Sequence, residues 1–388
     1  MLDFPASPTL GQVFNPTRGL NFVADSAGKW KRQAGMALPS NRIINGSMLV
    51  SQQNGTTAAP ANNVTGGTGY FAADQFFTSW DFTGGGGTFS SANYDTITGS
   101  SVEFKTVYIN CTSAPTSLQA ANIALISTKI EGSKIADFNW GVAGALPVIL
   151  RFMVVCGIAG TYSVRVANAT QSRSFIAQFT VAANVFTEVI VPIPGNPDGP
   201  GIWTRAETAA MRIDWVAAAG SNWYGVAGWQ TGNFYALSGQ TNGLATTSGI
   251  MHIGGVGLYL DPNNTGVPPP YQSPSYDDEL KECMRYWYKA YAMTGVVGGA
   301  TISYRTGMVH HVPMTNNPVP VPSLVGSTLR LYDGTVAPNL SSVANTSSVL
   351  SDTIVSSQAT ASGLTPGRPG MILCDGAETN YVAINGRM

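Results

Sequence analysis

Hydrolysis of a glycosidic bond needs two carboxyl groups about 5 to 10 Å apart, and the only acids clustered in this sequence are Asp277, Asp278, Glu279 and Glu282. All four fall at the start of a segment with helical spacing, where carboxylates favour the positive end of the helix dipole, so capping accounts for them. Asp74, Asp81, Glu103 and Asp214 are isolated along the chain, and only folding decides whether two of them meet. His252, His310 and His311 are the whole histidine supply, which starves metal centres and Ser-His-Asp triads alike. His310 and His311 are adjacent in a strand-like run and point to opposite faces. Cys111, Cys156, Cys283 and Cys374 lie far apart with no C-x-x-C spacing, which predicts buried free thiols. The four glycines from Gly84 to Gly87 lack the Lys and the helix of a phosphate loop and read as a turn. No catalytic residue, metal or cofactor is expected.

Binding chemistry is better represented. Trp223, Tyr224, Trp229, Phe234 and Tyr235 are interleaved with Gln230 and Asn233. Aromatic rings stack on the apolar faces of sugars, and amide side chains pair with sugar hydroxyls in an uncharged site, so these seven residues form a candidate glycan-binding set. The competing assignment for each ring is the packed interior of a sheet, and exposure decides between the two.

The composition limits what can position such residues. Of 388 residues, 44 are Gly, 23 are Pro and only 11% are charged, against a usual charged share of about 25%. Helices are normally solubilised by Lys, Glu and Arg, whereas hydroxyl and amide side chains suit turns and strand faces, so the expected class is all-β. A net charge of −1 removes the electrostatic footprint of a nucleic-acid binder. The first dozen residues lack a basic stretch followed by an apolar one, and the apolar run from Gly144 to Gly160 is broken by Pro147 and Arg151. No secretory signal or membrane insertion is therefore expected, and the chain reads as soluble and made in a cytoplasm.

Turn residues divide the chain into four stretches. Residues 1–37 hold two or three tiny strands between Pro and Gly, too small a unit to hide its own apolar surface. Residues 38–262 carry the clearest strand patterns: Tyr162, Val164 and Val166 alternate with Ser163 and Arg165, and Phe175, Ala177, Phe179 and Val181 with Gln178 and Thr180. Met251, Ile253, Val256, Leu258 and Leu260 mark a last core strand, ended by a turn at 261–266. Residues 263–289 combine a stiff linker at Pro268–Pro270 with a helix over "SYDDELKECMRYWYKAY", whose Leu280, Cys283, Met284 and Trp287 recur at helical spacing. Residues 290–388 return to strands, with the Pro-broken "NNPVPVPSLVG" suited to a sheet edge.

Several strings resemble those of bacteriophage structural proteins. "LDFPASPTLGQVF" followed by "GKW" looks like the short N-terminal module of phage and prophage tail proteins. "NRIINGSMLVSQQNGTT" with "GYFAADQF" resembles the start of a β-sandwich module repeated across phage structural proteins, through Asn45, Gly46, Met48, Gln52, Tyr70 and Asp74. A plain hairpin turn at Asn45 and Gly46 would explain that string without any family. "GTYSVRVANATQSRSFIAQFTV" looks like the hairpin region of jelly-roll carbohydrate-binding modules. The most specific match, to a motif of phage tail and minor structural proteins, is carried by Glu279, Leu280, Cys283, Arg285, Tyr286, Tyr288 and Lys289.

The resemblance implies a jelly-roll-like β-sandwich with a small N-terminal attachment module, one linker helix and a C-terminal β domain. It implies a homotrimeric tail fibre or receptor-binding spike that joins other tail or baseplate proteins through Phe4, Val13, Phe14 and Trp30, sits on the virion and contacts a host-surface glycan. A capsid decoration or head-fibre protein comes second and a polysaccharide depolymerase third.

Overall fold

A computed structural model describes residues 13–17, 20–24, 29–32, 40–55, 65–94, 104–199 and 202–290, and beyond these the strand segments 292–297, 304–309, 321–325, 329–332, 342–345, 354–360, 369–374 and 381–385. Phe4, Glu103, His310 and His311 lie outside the described residues.

The centre of the chain is a two-sheet sandwich of twelve strands. In chain order these are β1 (Gly66–Gly69), β2 (Phe76–Asp81), β3 (Thr88–Tyr94), β4 (Thr106–Ser113), β5 (Ile123–Glu131), β6 (Val148–Cys156), β7 (Gly160–Asn168), β8 (Arg173–Val181), β9 (Thr187–Ile193), β10 (Ala209–Ala219), β11 (Gly228–Thr231) and β12 (Ile250–Leu260). One sheet runs β11-β8-β7-β10-β5-β2-β1 and the other β9-β6-β12-β4-β3. Eight of the strands, numbered one to eight along the chain from β4 and omitting β11, lie in the order 1-8-3-6 in the second sheet and 2-7-4-5 in the first. That double Greek key is a jelly roll, and the expected all-β sandwich is the fold found.

Inward-facing residues of both sheets fill one core. In β9, Val189, Val191 and Ile193 are buried while Glu188, Ile190 and Pro192 face out, the period-two signature of a half-buried strand. Trp215 of β10 packs between Phe76 and Phe152 with centroids 6.1 and 5.7 Å away, and Phe152 meets Phe179 at 5.2 Å. In β12 the pairing with β6 slips between Gly254 and Gly257, and Gly255 takes a φ of 55° there. The bulge moves the inward positions from Met251 and Ile253 to Val256 and Leu258, which explains the change of phase in the sequence. Asp261 then closes the expected turn, its carboxylate accepting from the backbone N–H groups of Thr265 and Gly266. Cys111, Cys156 and Cys283 are buried and free, and burial pushes the Cys156 thiol up to about 12.

Three expectations are corrected. Ser163 and Arg165, which alternation assigned to solvent, are fully buried, because a later segment covers the outer face of β7. The turn at Asn45 and Gly46 exists, but no strand flanks it, so it is not a hairpin. The helix α1 spans only Tyr276–Met284, and Trp287–Ala290 is a strand paired with Tyr381–Asn385. Aromatic residues gain more in a paired strand than in a helix, and the fit of Trp287 to a helical stripe was coincidental. The Pro-rich stretch and α1 pack on the sandwich. Arg151 donates to the Pro269 carbonyl at 3.0 Å, Tyr271 is buried, and Arg285 meets Glu131 of β5 at 3.4 Å.

Outside the sandwich, Val13–Thr17, Leu20–Ala24 and Trp30–Arg32 form a three-stranded antiparallel sheet in which Val13 lies opposite Val23, Phe14 opposite Phe22 and Trp30 opposite Ala24. After α1, Trp287–Ala290, Tyr381–Asn385 and Val321–Val325 make a second three-stranded sheet, with the Pro-containing Val321–Val325 at an edge. Leu329–Tyr332, Pro369–Cys374, Ala292–Val297, Tyr304–Val309, Ile354–Thr360 and Ser342–Asn345 form a six-stranded one.

Candidate functional site

The segment that buries Arg165 is the one that carries the candidate aromatic residues. After β10 the chain turns back across the outer face of the seven-stranded sheet, and Tyr224–Gly225 pairs with Ala236–Leu237 as a two-residue parallel ladder. The backbone N–H of Tyr235 donates to the Trp223 carbonyl at 2.9 Å. Ser174 Oγ donates to the Gly232 carbonyl, and Gln240 Nε2 to that of Val216, each at 2.9 Å. Tyr235 and Ala236 pack on Ile123, Leu125, Val216 and Ala219, an apolar patch on the outer side of the sheet.

Beneath this segment lies a buried polar network. The Arg165 guanidinium donates to Asp214 at 3.0 Å, to Gln171 Oε1 at 3.1 Å and to Asn233 Oδ1 at 2.6 Å. It also lies 3.9 Å from the centroid of the Tyr235 ring, whose hydroxyl donates to Gln171 at 2.6 Å. Asp214 Oδ1 accepts from Ser127 and from Arg212 Nε, both at 2.6 Å. Both side chains of the Arg165–Asp214 pair are fully buried. Such a pair is costly to bury unless other groups engage it, and here Asn233 and Tyr235 of the covering segment do so, although Arg165 Nε has no hydrogen-bond partner among the described residues. The network therefore pins that segment to the sheet.

The seven candidate residues divide into two groups. Trp223, Tyr224, Asn233, Phe234 and Tyr235 sit together on the covering segment. Tyr235 is buried, Trp223, Tyr224 and Phe234 are half-buried, and Asn233 is exposed. Trp223 meets Tyr235 edge-on at 5.3 Å and donates its Nε1–H to the Ala121 carbonyl at 2.8 Å, and the Tyr224 hydroxyl donates to the Ala219 carbonyl at 3.1 Å. Phe234 lies over Gly225 and Gly232, where a Cβ would come within 2.7 and 2.6 Å of it. Trp229 belongs elsewhere: it packs with Trp140, Trp203 and Phe175 at 5.2, 5.9 and 5.4 Å and donates to the Pro194 carbonyl. Gln230 is spent on its own loop, bonding both the N–H and the carbonyl of Val226. Asn233 offers most to a ligand, because its Oδ1 is held by Arg165 while its Nδ2 donors stay on an exposed side chain.

Sequence reading missed Arg165, Asp214, Arg212, Ser127 and Gln171. The available signal was a charged residue centred in a strand of otherwise apolar and small residues. Asp74, Asp81 and Asp214 go to three separate places: Asp74 to Gln52 at 2.6 Å, Asp81 to the Thr83 N–H at 2.8 Å, and Asp214 to the network above. Among the described residues, no three or more His, Cys, Asp and Glu side chains are grouped to hold a metal.

The two phage-like strings meet in space. The Asn45 N–H donates to Glu279 of α1, and Asn45 Nδ2 donates to the carbonyls of Val50 and Asp74, each at 2.8 Å. Gln52 Nε2 bridges Asp74 to the Trp287 carbonyl, the latter at 2.9 Å. A Cβ on Gly46 would lie 2.2 Å from the Val256 carbonyl, so only glycine lets this turn approach β12. Asn45, Gly46, Gln52, Asp74 and Glu279 thus form one clasp holding α1 to the sandwich.

No protein-family model matches the sequence, and a search of curated proteins finds no match. Among solved structures, the chain is similar to the enzymatically active domain of tailspike protein 4 of bacteriophage CBA120, at 10% identity and a TM-score of 0.30. That match covers 57% of this chain and 21% of the tailspike chain. It is also similar to a CBM4 structure, at 10% identity and a TM-score of 0.29, covering 56% of this chain and 99% of that one. A family 11 carbohydrate-binding module from Clostridium thermocellum matches at 8% identity and a TM-score of 0.23, covering 48% and 88%. At such scores the jelly-roll assignment rests on the strand order and not on these likenesses.

Proposed function

We propose that this chain is a bacteriophage virion adhesion protein, a tail fibre or receptor-binding spike, that attaches the particle to host-surface glycans without catalysis. The observation that carries the reading is the covering segment: aromatic faces at Trp223, Tyr224 and Phe234 and the Asn233 donors, on a backbone pinned by a buried ion-pair network. A platform that is already rigid loses little entropy when a flexible, weakly held ligand such as a glycan binds. The low charge of the chain suits a neutral partner. The phage-like strings at 2–30, 41–76 and 279–289 support the virion setting, with residues 1–37 as the joint to other tail or baseplate proteins and a homotrimer as the assembly.

The test is adsorption. Purified chain added in excess to susceptible cells should occupy their receptors and lower particle adsorption, and particles lacking the chain should fail to adsorb. Unimpaired adsorption in both experiments, or a cryo-EM map placing many copies on the capsid shell, would transfer the chain to a decoration role.

A further inference from the structure

A cleft of about 490 Å³ separates residues 40–44 and Tyr259 of β12 from the Pro269–Pro274 stretch and α1. It lies beside the clasp and contains none of the aromatic platform. Glu279 forms part of its wall and is only 4% exposed. One carboxylate oxygen, Oε1, accepts from the Asn45 N–H. The other, Oε2, makes no hydrogen bond to any described residue. Burial raises the Glu279 pKa, the Asn45 N–H pulls it back, nearby Glu282 raises it and Lys134 lowers it. An ionised carboxylate is therefore costly at this position, and a glutamine would hold Asn45 equally well. The clasp alone does not explain the acid.

The other groups of the cleft narrow the ligand. Both cations in its wall are occupied: Arg42 donates to the Lys134 carbonyl at 3.0 Å and to Asp137 at 2.6 Å, and Lys134 Nζ meets Glu282 at 2.8 Å. An anion finds no unpaired cation in these contacts, and the wall's three carboxylates, Asp278, Glu279 and Glu282, share it with two cations and, among the described residues, are not grouped to hold a metal. What the cleft offers is acceptor oxygens next to the apolar faces of Tyr259 and the prolines. That combination fits a neutral molecule rich in hydroxyl donors with a hydrocarbon face.

We infer that this cleft is a second saccharide-binding site, in which Glu279 Oε2 accepts a hydrogen bond from a hydroxyl of a neutral sugar. The inference rests on the glycan-binding reading of the chain and adds to it a contact remote from Asn233 and Phe234.

The experiment uses the full chain on an array of neutral oligosaccharides, followed by titration of the best-retained one. Three variants are compared with wild type: Glu279→Gln, which keeps the Asn45 contact; Ser273→Phe, which fills the cleft from its wall; and the platform double variant Asn233→Asp with Phe234→Leu. Melting curves confirm that each is folded. Loss of one charge-assisted hydrogen bond weakens binding about tenfold, so Glu279→Gln and Ser273→Phe should each lose about tenfold or more. If wild type binds and both cleft variants bind as tightly, the inference is overturned while the adhesion reading stands. If wild type retains no sugar, both fall. Calcium protection of wild type that Glu279→Gln removes, with sugar affinity unchanged, would also overturn it in favour of a cation site.

Discussion

Arg165 is fully buried and Asp214 is its one charged partner among the described residues; its other contacts, Gln171 and Asn233, are neutral, whereas Asp214 also pairs with Arg212 at 2.6 Å. Removing Asp214 therefore strands a buried guanidinium, which costs about 3–5 kcal/mol. Asp214→Ala should lower the unfolding free energy by about that much in a urea titration, far beyond the roughly 0.5 kcal/mol of an ordinary surface change. Glu279 behaves in the opposite sense. Its folded pKa is raised above the unfolded value, so its contribution to stability is whole below about pH 4, near the free glutamate pKa, and is lost as pH rises through the folded value. Glu279→Gln should melt higher than wild type at pH 7 to 8, with the gap closing on acidification; a lower melting point at neutral pH would show that the acid stabilises the clasp. His252 marks the acid side. Burial lowers its pKa to about 4, so stability present above the free histidine value of about 6.5 drains away as pH falls toward 4. His252→Gln should flatten that limb of a melting-temperature profile.

At the scale of elements, α1 is held by a cap at one end and the clasp along its side. Ser275 Oγ accepts from the Asp278 N–H at 3.3 Å, and Ser275→Ala should cost about 1 kcal/mol by chemical denaturation. Strands with one wet face were legible in the sequence because solvent enforces alternation, as in β8 and β9. β7 was legible as a strand but its dry outer face was not, since the cover over Arg165 comes from residues some seventy positions later and the one local trace is a charge centred in the strand. The end of α1 was misread for a related reason: Trp287 fits a helical stripe and a strand equally well, and its partner Tyr381–Asn385 is about a hundred residues away. The acids at 277–279 were assigned to the start of the helix, and all three lie in its first turn, but the burial of Glu279 against Asn45 is encoded by no helical pattern.

For the whole molecule, the jelly roll is the base on whose outer surface, more than in its core, the groups proposed to bind glycan are carried. Composition foretold the sheets, and the aromatic run falls on the segment that covers the seven-stranded sheet. It could not separate Trp229, folded into a tryptophan cluster at the rim, from Phe234 and Asn233, which remain at the surface. The most direct test of the account is retention of neutral glycans on an array by the intact chain, beside the Asn233→Asp, Phe234→Leu variant, which keeps an acceptor for Arg165 but loses the amide donors and the ring. The account predicts glycan-selective retention by wild type and at least a tenfold loss in the folded variant. Equal retention by both, or none by wild type, would contradict it.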